Sequence, residues 1–276
     1  AGTANIIVNG GTFVNFDPMN NQAEGAGTSF VALGVGVNAD ENGSFTAVAD
    51  MTAQLVDENG KSVKAFDKLS DALAAVEAKQ TVKLLNSVNG EKYVEVEANV
   101  TLDLNGYNIT DVKLLWVTGK IIDSAANKGV VSATKYLLPT NNGYAPVYNS
   151  EGDGYSFFEL SVYSEKKDNA VLFRLDKSAE RAAAVDLMKA NVGRVKAVVT
   201  ISWKDGDTGS GDQSFTFVDQ KMSSYLADVT KYAFKVSIGG LDKISGTVTA
   251  QANFVIYDAT GEAIYAISGS SWTIQE

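Results

Sequence analysis

The chain has 276 residues, 45% hydrophobic and 20% charged, with 33 acidic against 23 basic residues and a net charge of -10. That length accommodates two ordinary domains with their own cores, and the balance is that of a folded rather than a disordered chain. Neither half has a basic surplus, which argues against binding nucleic acid, and without Cys or His the chain has no thiol catalysis, histidine acid–base chemistry, Ser-His-Asp triad or usual zinc site.

Carboxylates, Lys, Tyr and Ser remain as candidate chemistry. No apolar run approaches the roughly 18 residues of a membrane span. The chain begins at Ala1 rather than Met and shows no signal peptide. We read it as a processed or excised piece of a longer precursor, and its lack of disulfides is compatible with an extracellular or cell-surface location.

Residues Ala1–Pro18, AGTANIIVNGGTFVNFDP, read as strand, Gly-Gly turn and strand, ended by Pro18. The polar stretch Met19–Gly27 is a loop. Phe30–Ala49 reads as a hairpin turning at Asn42-Gly43, and Met51–Phe66 as a second turning at Glu58-Asn59-Gly60, so one small antiparallel sheet is expected. In Asp67–Lys79 the period changes to helical, with Leu69, Leu73 and Val76 on one face and Asp67 placed to cap the N-terminus. Gln80–Val88 returns to strand.

The stretch Tyr93–Ala133 reads as three or four short strands separated by Asn-Gly, Thr-Gly and Lys-Gly turns. Leu102, Leu104 and Ile109, with Leu115 and Val117, are expected to point into one narrow core between stacked strands. Residues 134–153 carry Pro139, Pro146 and several Gly and Asn, the composition of a connector, which puts a boundary near Ser150 and gives domains 1–150 and 151–276. Beyond it, short strands alternate with tight turns. A helix is expected over Ser178–Asn191 with Ser178 as its cap, a hairpin over Val195–Asp219, and a second short helix from Gln220. About seven strands with one or two helices is the pattern of a β-sandwich.

Two segments carry a resemblance. AFDKLSDALAAVEAKQTVKLLNSV followed by ANVTLDLNGYNIT resembles the opening of right-handed parallel β-helix modules in large surface proteins of Gram-positive bacteria. Those modules open with a short Ala-rich helix and a TVxLL strand, followed by an ITLDLNGxxI coil and later GGTF coils. Here the corresponding residues are Val82–Leu85, Thr101–Ile109 and Asn9–Phe13, and the resemblance covers residues 5–18 and 63–133. The second half resembles the immunoglobulin-like sandwiches that accompany such modules. The resemblance implies a mainly β chain: a short parallel β-helix or β-rich N-terminal domain, then an immunoglobulin-like β-sandwich with one or two helices. It further implies a non-enzymatic structural protein of the bacterial surface, a self-assembling filament or layer subunit, or alternatively an adhesin or carbohydrate-binding module of a larger surface protein.

Within that picture Ile6, Ile7, Val8, Phe13, Val14 and Phe16 form an assembly strand. They look like a terminal coil, yet precede the coils they would cap, so the strand either folds back onto its own β-helix or adds to an open edge of the next molecule. Pectate lyases share the β-helix fold, but residues 1–150 contain no Arg, and Asp103 and Asp111 with Lys113 belong to the fold signature rather than to a calcium-lyase site. Asp205, Asp207 and Asp212 in KDGDTGSGDQ outline a calcium loop without its closing Glu, and a polar hairpin turn is the plainer reading. Trp116, Trp203 and Trp272 lie in alternating strands and are expected to fill a core or sheet face. Tyr144, Tyr148 and Tyr155, near the connector with no core to explain them, are the candidates for a glycan contact. No cofactor is implied.

Overall fold

Alternating apolar and polar residues become strand through about half of the chain: the computed structural model is mainly β, 49% strand and 12% helix. It describes residues 6–21, 25, 28–139, 143–168, 170–176, 178–205, 209–217, 220–229, 234–237, 246–269 and 271–275, with backbone alone at 204–205, 209–217, 220–221, 234–237 and 274–275. Two compact units result, Ala1–Leu138 and Pro139–Glu276.

The first unit opens with an antiparallel sheet of β1 (Gly11–Val14), β2 (Gly36–Ala39) and β3 (Ser44–Val48), in the order β1-β3-β2. Its small core is Val8, Val35 and Ala47, with Phe13 and Phe30 packed against them. The next hairpin, β4 (Ala53–Val56) and β5 (Ser62–Phe66), belongs to a different sheet, so the two expected hairpins do not form one sheet. Side chains join them instead. Gln54, fully buried on β4, donates to the Val37 and Leu55 carbonyls (2.8 and 2.9 Å) and accepts from the Val37 N–H (2.7 Å). A buried amide is tolerable because all three contacts satisfy it.

Helix α1 (Leu69–Ala75) buries Leu69 and Ala72. Lys68, not Asp67, occupies its N-cap position, and no side chain caps it; the Asp67 carbonyl instead accepts from Thr52 Oγ1 at 2.7 Å. Strands β6 (Thr81–Leu84), β7 (Val88–Asn89), β8 (Tyr93–Val96), β9 (Thr101–Asp103), β10 (Ile109–Val117), β11 (Lys120–Ile122) and β12 (Val131–Leu137) then wind in parallel. In one sheet β6, β9 and β11 stack in register, Val82 on Leu102 on Ile121, steps of 20 and 19 residues, and β4 and β5 extend this sheet beyond β6. In the other, β10 lies between β12 on one side and β7 and β8 on the other, with Val88, Ile109 and Val131 in register. Leu102, Leu104, Ile109 and Leu115 have no exposed surface and Val117 only 3%, so the five expected core positions are all buried.

The corners between these strands are built from local polar contacts. Asn105 and Gly106, both at positive φ (49° and 81°), form the turn closed by Tyr107 N–H to the Leu104 carbonyl at 2.8 Å. The buried Asp103 carboxylate accepts from the N–H groups of Asn105 and Ser124, tying successive turns together, and Asn105 Nδ2 donates to the Leu84 carbonyl. Asp123 accepts in the same way from Gly106, Ala125 and Gly129. At Gly129 the Tyr107 carbonyl occupies the space a β-carbon would need.

The second unit begins with the hairpin β13 (Tyr144–Asn149) and β14 (Gly154–Glu159), against which α2 (Arg181–Ala190) packs through Ala184, Val185 and Met188. Ser150 lies in the turn of this hairpin rather than between the units; the Gly and Asp residues there make a tight reversal, with Asp153 at φ 45°. Strands β15 (Val162–Lys167), β16 (Ala170–Leu175) and β19 (Phe234–Ser237) make one antiparallel sheet. Strands β17 (Val195–Asp205), β18 (Gly209–Phe217), β20 (Val248–Tyr257), β21 (Ala263–Ser268) and β22 (Trp272–Gln275) make another. Phe173 of β16 meets Phe254 of β20 edge to face at 5.5 Å, and Tyr225 of α3 (Gln220–Ala227) packs on the same ring. Glu180 precedes α2 without a side-chain cap, and Ser178 Oγ donates to the Glu159 carbonyl instead of capping the helix.

Candidate functional site

Residues 6–16 form an apolar margin of the first unit. Among the described residues β1 is an edge strand, paired on one side with β3 from Gly11↔Ala47 to Val14↔Ser44. Val8 is buried and bridges in parallel to Val31, and Phe13 is half-buried. Ile6, Ile7 and Val14 are 65–70% exposed, and neighbouring Leu33 is 87% exposed. The Phe16 ring lies nearly parallel to that of Phe30 (18°, centroids 6.4 Å apart) and remains exposed. The expected terminal coil on the parallel strands is therefore not what residues 9–13 form. Gly11–Val14 pair antiparallel with β3 of the β2–β3 hairpin, whose turn is fastened by Asp40 Oδ1 accepting from the N–H groups of Asn42 and Ser44. That edge is near in sequence, and a shorter loop costs less entropy to close.

A second apolar surface lies on the outward face of the parallel sheet containing β10. Leu115 and Val117 point inward, so Leu114 and Trp116 face out. In register beside Leu114 are Tyr93 and Lys135, and beside Trp116 are Glu95 and Leu137. Tyr93, Trp116 and Leu137 are each about 40% exposed. Trp116 is thus surface rather than core, while Trp203 and Trp272 are half-buried. Partial desolvation, the hydrogen bond to Glu95 and the charges of Glu95 and Glu97 push the Tyr93 hydroxyl up to about 12. This surface could have been found from parity alone, since Trp116 alternates with two aliphatic residues.

Of the three tyrosines expected as a glycan contact, one lies in a core. Tyr155 is 2% exposed, its hydroxyl donating to the Tyr257 carbonyl (3.3 Å), and Tyr148 meets it edge to face at 5.7 Å. The Arg194 guanidinium covers the Tyr148 ring at 3.6 Å, and Tyr148 Oη donates to Asp153 at 2.7 Å. Burial raises the Tyr155 pKa, while the Asp153 hydrogen bond, then burial, raises that of Tyr148. Tyr144 is half-buried in β13. Tyr155 is thus part of the packing, while Tyr144 and Tyr148 keep partly exposed rings.

Asp207 lies outside the described residues, as do the side chains of Asp205 and Asp212; in the backbone Asp205 ends β17 opposite Gly209, and Asp212 stands opposite Ser202. Among the described residues no three His, Cys, Asp or Glu side chains gather as metal ligands, and no helix is long and apolar enough to cross a membrane. Asp103, in the signature stretch, holds backbone N–H groups, and Asp111 Oδ2 accepts from Asn89 Nδ2. No protein family, no curated protein and no solved structure matches the chain.

Proposed function

We propose that the chain is a non-enzymatic structural module of a bacterial cell-surface or extracellular protein, self-associating through the apolar margin at β1. In this reading the stacked parallel strands of residues 81–137 are a short right-handed β-helix, and the two antiparallel sheets of the second unit are an immunoglobulin-like sandwich. The in-register columns of buried aliphatics support the first assignment, and the Phe173–Phe254 contact between sheets supports the second. One observation carries the assembly reading: an edge strand flanked by Ile6, Ile7, Val14 and Phe16, all exposed. An edge of this kind offers unpaired backbone groups beside apolar surface, the combination that recruits another strand. The outward Tyr93–Trp116–Leu137 face is suited to the same role.

Sedimentation of the purified chain over a range of concentrations tests this. The full chain is expected to form larger species as concentration rises, and a charge at the exposed edge, Val14→Lys, to leave it monomeric while its circular dichroism is unchanged. Deletion of residues 1–18 should have the same effect on assembly. A full chain that stays monomeric throughout, or a Val14→Lys chain that assembles as before, would remove the basis for the proposal.

A further inference from the structure

A cleft of about 530 Å3 opens in the first unit beside the end of β1, the β2–β3 turn and the β4–β5 turn. Part of its polar lining belongs to the fold. Asp17, 9% exposed, accepts from the N–H groups of Met19 and Ser62 and from Ser62 Oγ at 2.7–3.0 Å. Asp57 Oδ1 closes the β4–β5 turn by accepting from the N–H groups of Asn59 and Lys61 (2.8 and 2.9 Å). Asn20 and Asn21 are buried and engaged, Asn20 Nδ2 donating to the Asn59 carbonyl at 3.1 Å. Among the described residues the side-chain amides of Asn15 and Asn59 and the second oxygen of Asp57 make no hydrogen bond, and the Lys61 ammonium has no carboxylate partner. Lys61 Nζ stands 5.2 Å over the Phe45 ring, and Phe16 presents an exposed ring held in place by Phe30.

We propose that this cleft is a saccharide-binding site, taking a neutral pyranose unit. Sugar hydroxyls both donate and accept, and so do the amides of Asn15 and Asn59; the Asp57 oxygen accepts and Lys61 donates. The exposed Phe16 ring provides the flat apolar surface on which the C–H face of a pyranose rests. The cleft volume lies within the roughly 300–1,000 Å3 of small-molecule sites. Phosphate and sulfate ligands are disfavoured, because two carboxylates, Asp17 and Asp57, line the cleft against one ammonium. Phe16 also belongs to the apolar margin, so binding is measured at a concentration where the chain is monomeric.

Amide NMR of the labelled full chain tests the assignment, titrating the methyl glycosides of glucose, galactose, mannose and N-acetylglucosamine. At least one should shift resonances confined to residues 15–21, 43–45 and 57–61, with a dissociation constant of about 1–10 mM, as expected for a small ligand in an open cleft. Asn59→Ala and Lys61→Met, both at an exposed turn, should each weaken that binding about fivefold, the loss of one hydrogen bond. Trp116→Ala, on a different surface, should leave it unchanged. The proposal is overturned if no glycoside shifts those resonances, if both cleft variants bind as well as the original chain, or if calcium chloride shifts them and the glycosides do not.

Discussion

Leu104 is fully buried immediately before the Asn105-Gly106 turn, so truncating it leaves a void in the core between the parallel strands. Leu104→Ala should lower the unfolding free energy by about 2–5 kcal/mol in urea titrations, and a loss below about half a kilocalorie would contradict its place in the core. Asp123 has a pH signature. Burial raises its carboxyl above the ordinary value, and the N–H groups of Gly129, Ala125 and Gly106 and the charge of Lys128 only partly offset that. Between the two values the folded chain retains a proton that the unfolded chain has released, so this group adds stability as pH falls through the window and loses it as pH rises. Comparing the original chain with Asp123→Asn from about pH 4 to 6, the variant should lack that component of the slope. Identical slopes would show that Asp123 titrates normally.

At the scale of elements, the parallel strands depend on corners where one chain segment passes directly over another. A β-carbon at Gly129 would overlap the Tyr107 carbonyl, whereas at Gly193 nothing lies within 4 Å. Gly129→Ala should therefore destabilise by about 1–3 kcal/mol, and Gly193→Ala should be neutral or slightly stabilising. Equal effects at the two positions would mean that the corner at Gly129 is loose. The helices teach a different point. Neither α1 nor α2 uses the capping residue its sequence offers, because the preceding segments are drawn into sheet contacts: Thr52 holds the Asp67 carbonyl, and Ser178 reaches Glu159. Short helices of this kind are stabilised mainly by the face they bury, and packing outweighs the roughly 1 kcal/mol of a cap.

For the whole molecule, a net charge of -10 opposes association of identical chains, while the exposed apolar margin favours it. Salt screens the first and not the second. Raising sodium chloride from about 20 to 500 mM should therefore shift the sedimentation profile toward larger species. A shift toward monomer would mean that ion pairs rather than apolar contacts hold the chains together, and would exclude the β1 margin as the main interface.

Strand positions, the two turns at Asn42-Gly43 and Asn59-Gly60, and the inward set Leu102, Leu104, Ile109, Leu115 and Val117 were determined by the sequence itself, because side-chain parity and the φ tolerance of Asn and Gly are properties of a few consecutive residues. Partners were not determined locally. The pairing of β1 with β3 rather than with a later coil, the separation of the two N-terminal hairpins into different sheets, and the burial of Gln54 against β2 each depend on segments brought together only by folding. The tyrosines show the limit most clearly. Tyr155 reads in sequence as a residue near the connector with no core to explain it, because its partner, the Tyr257 carbonyl, is 102 residues away, and no local pattern encodes a contact at that distance. The cleft has the same origin: Asn15, Asn59 and Lys61 are unremarkable turn residues in sequence, and only the tertiary structure sets their uncommitted polar groups around the exposed ring of Phe16.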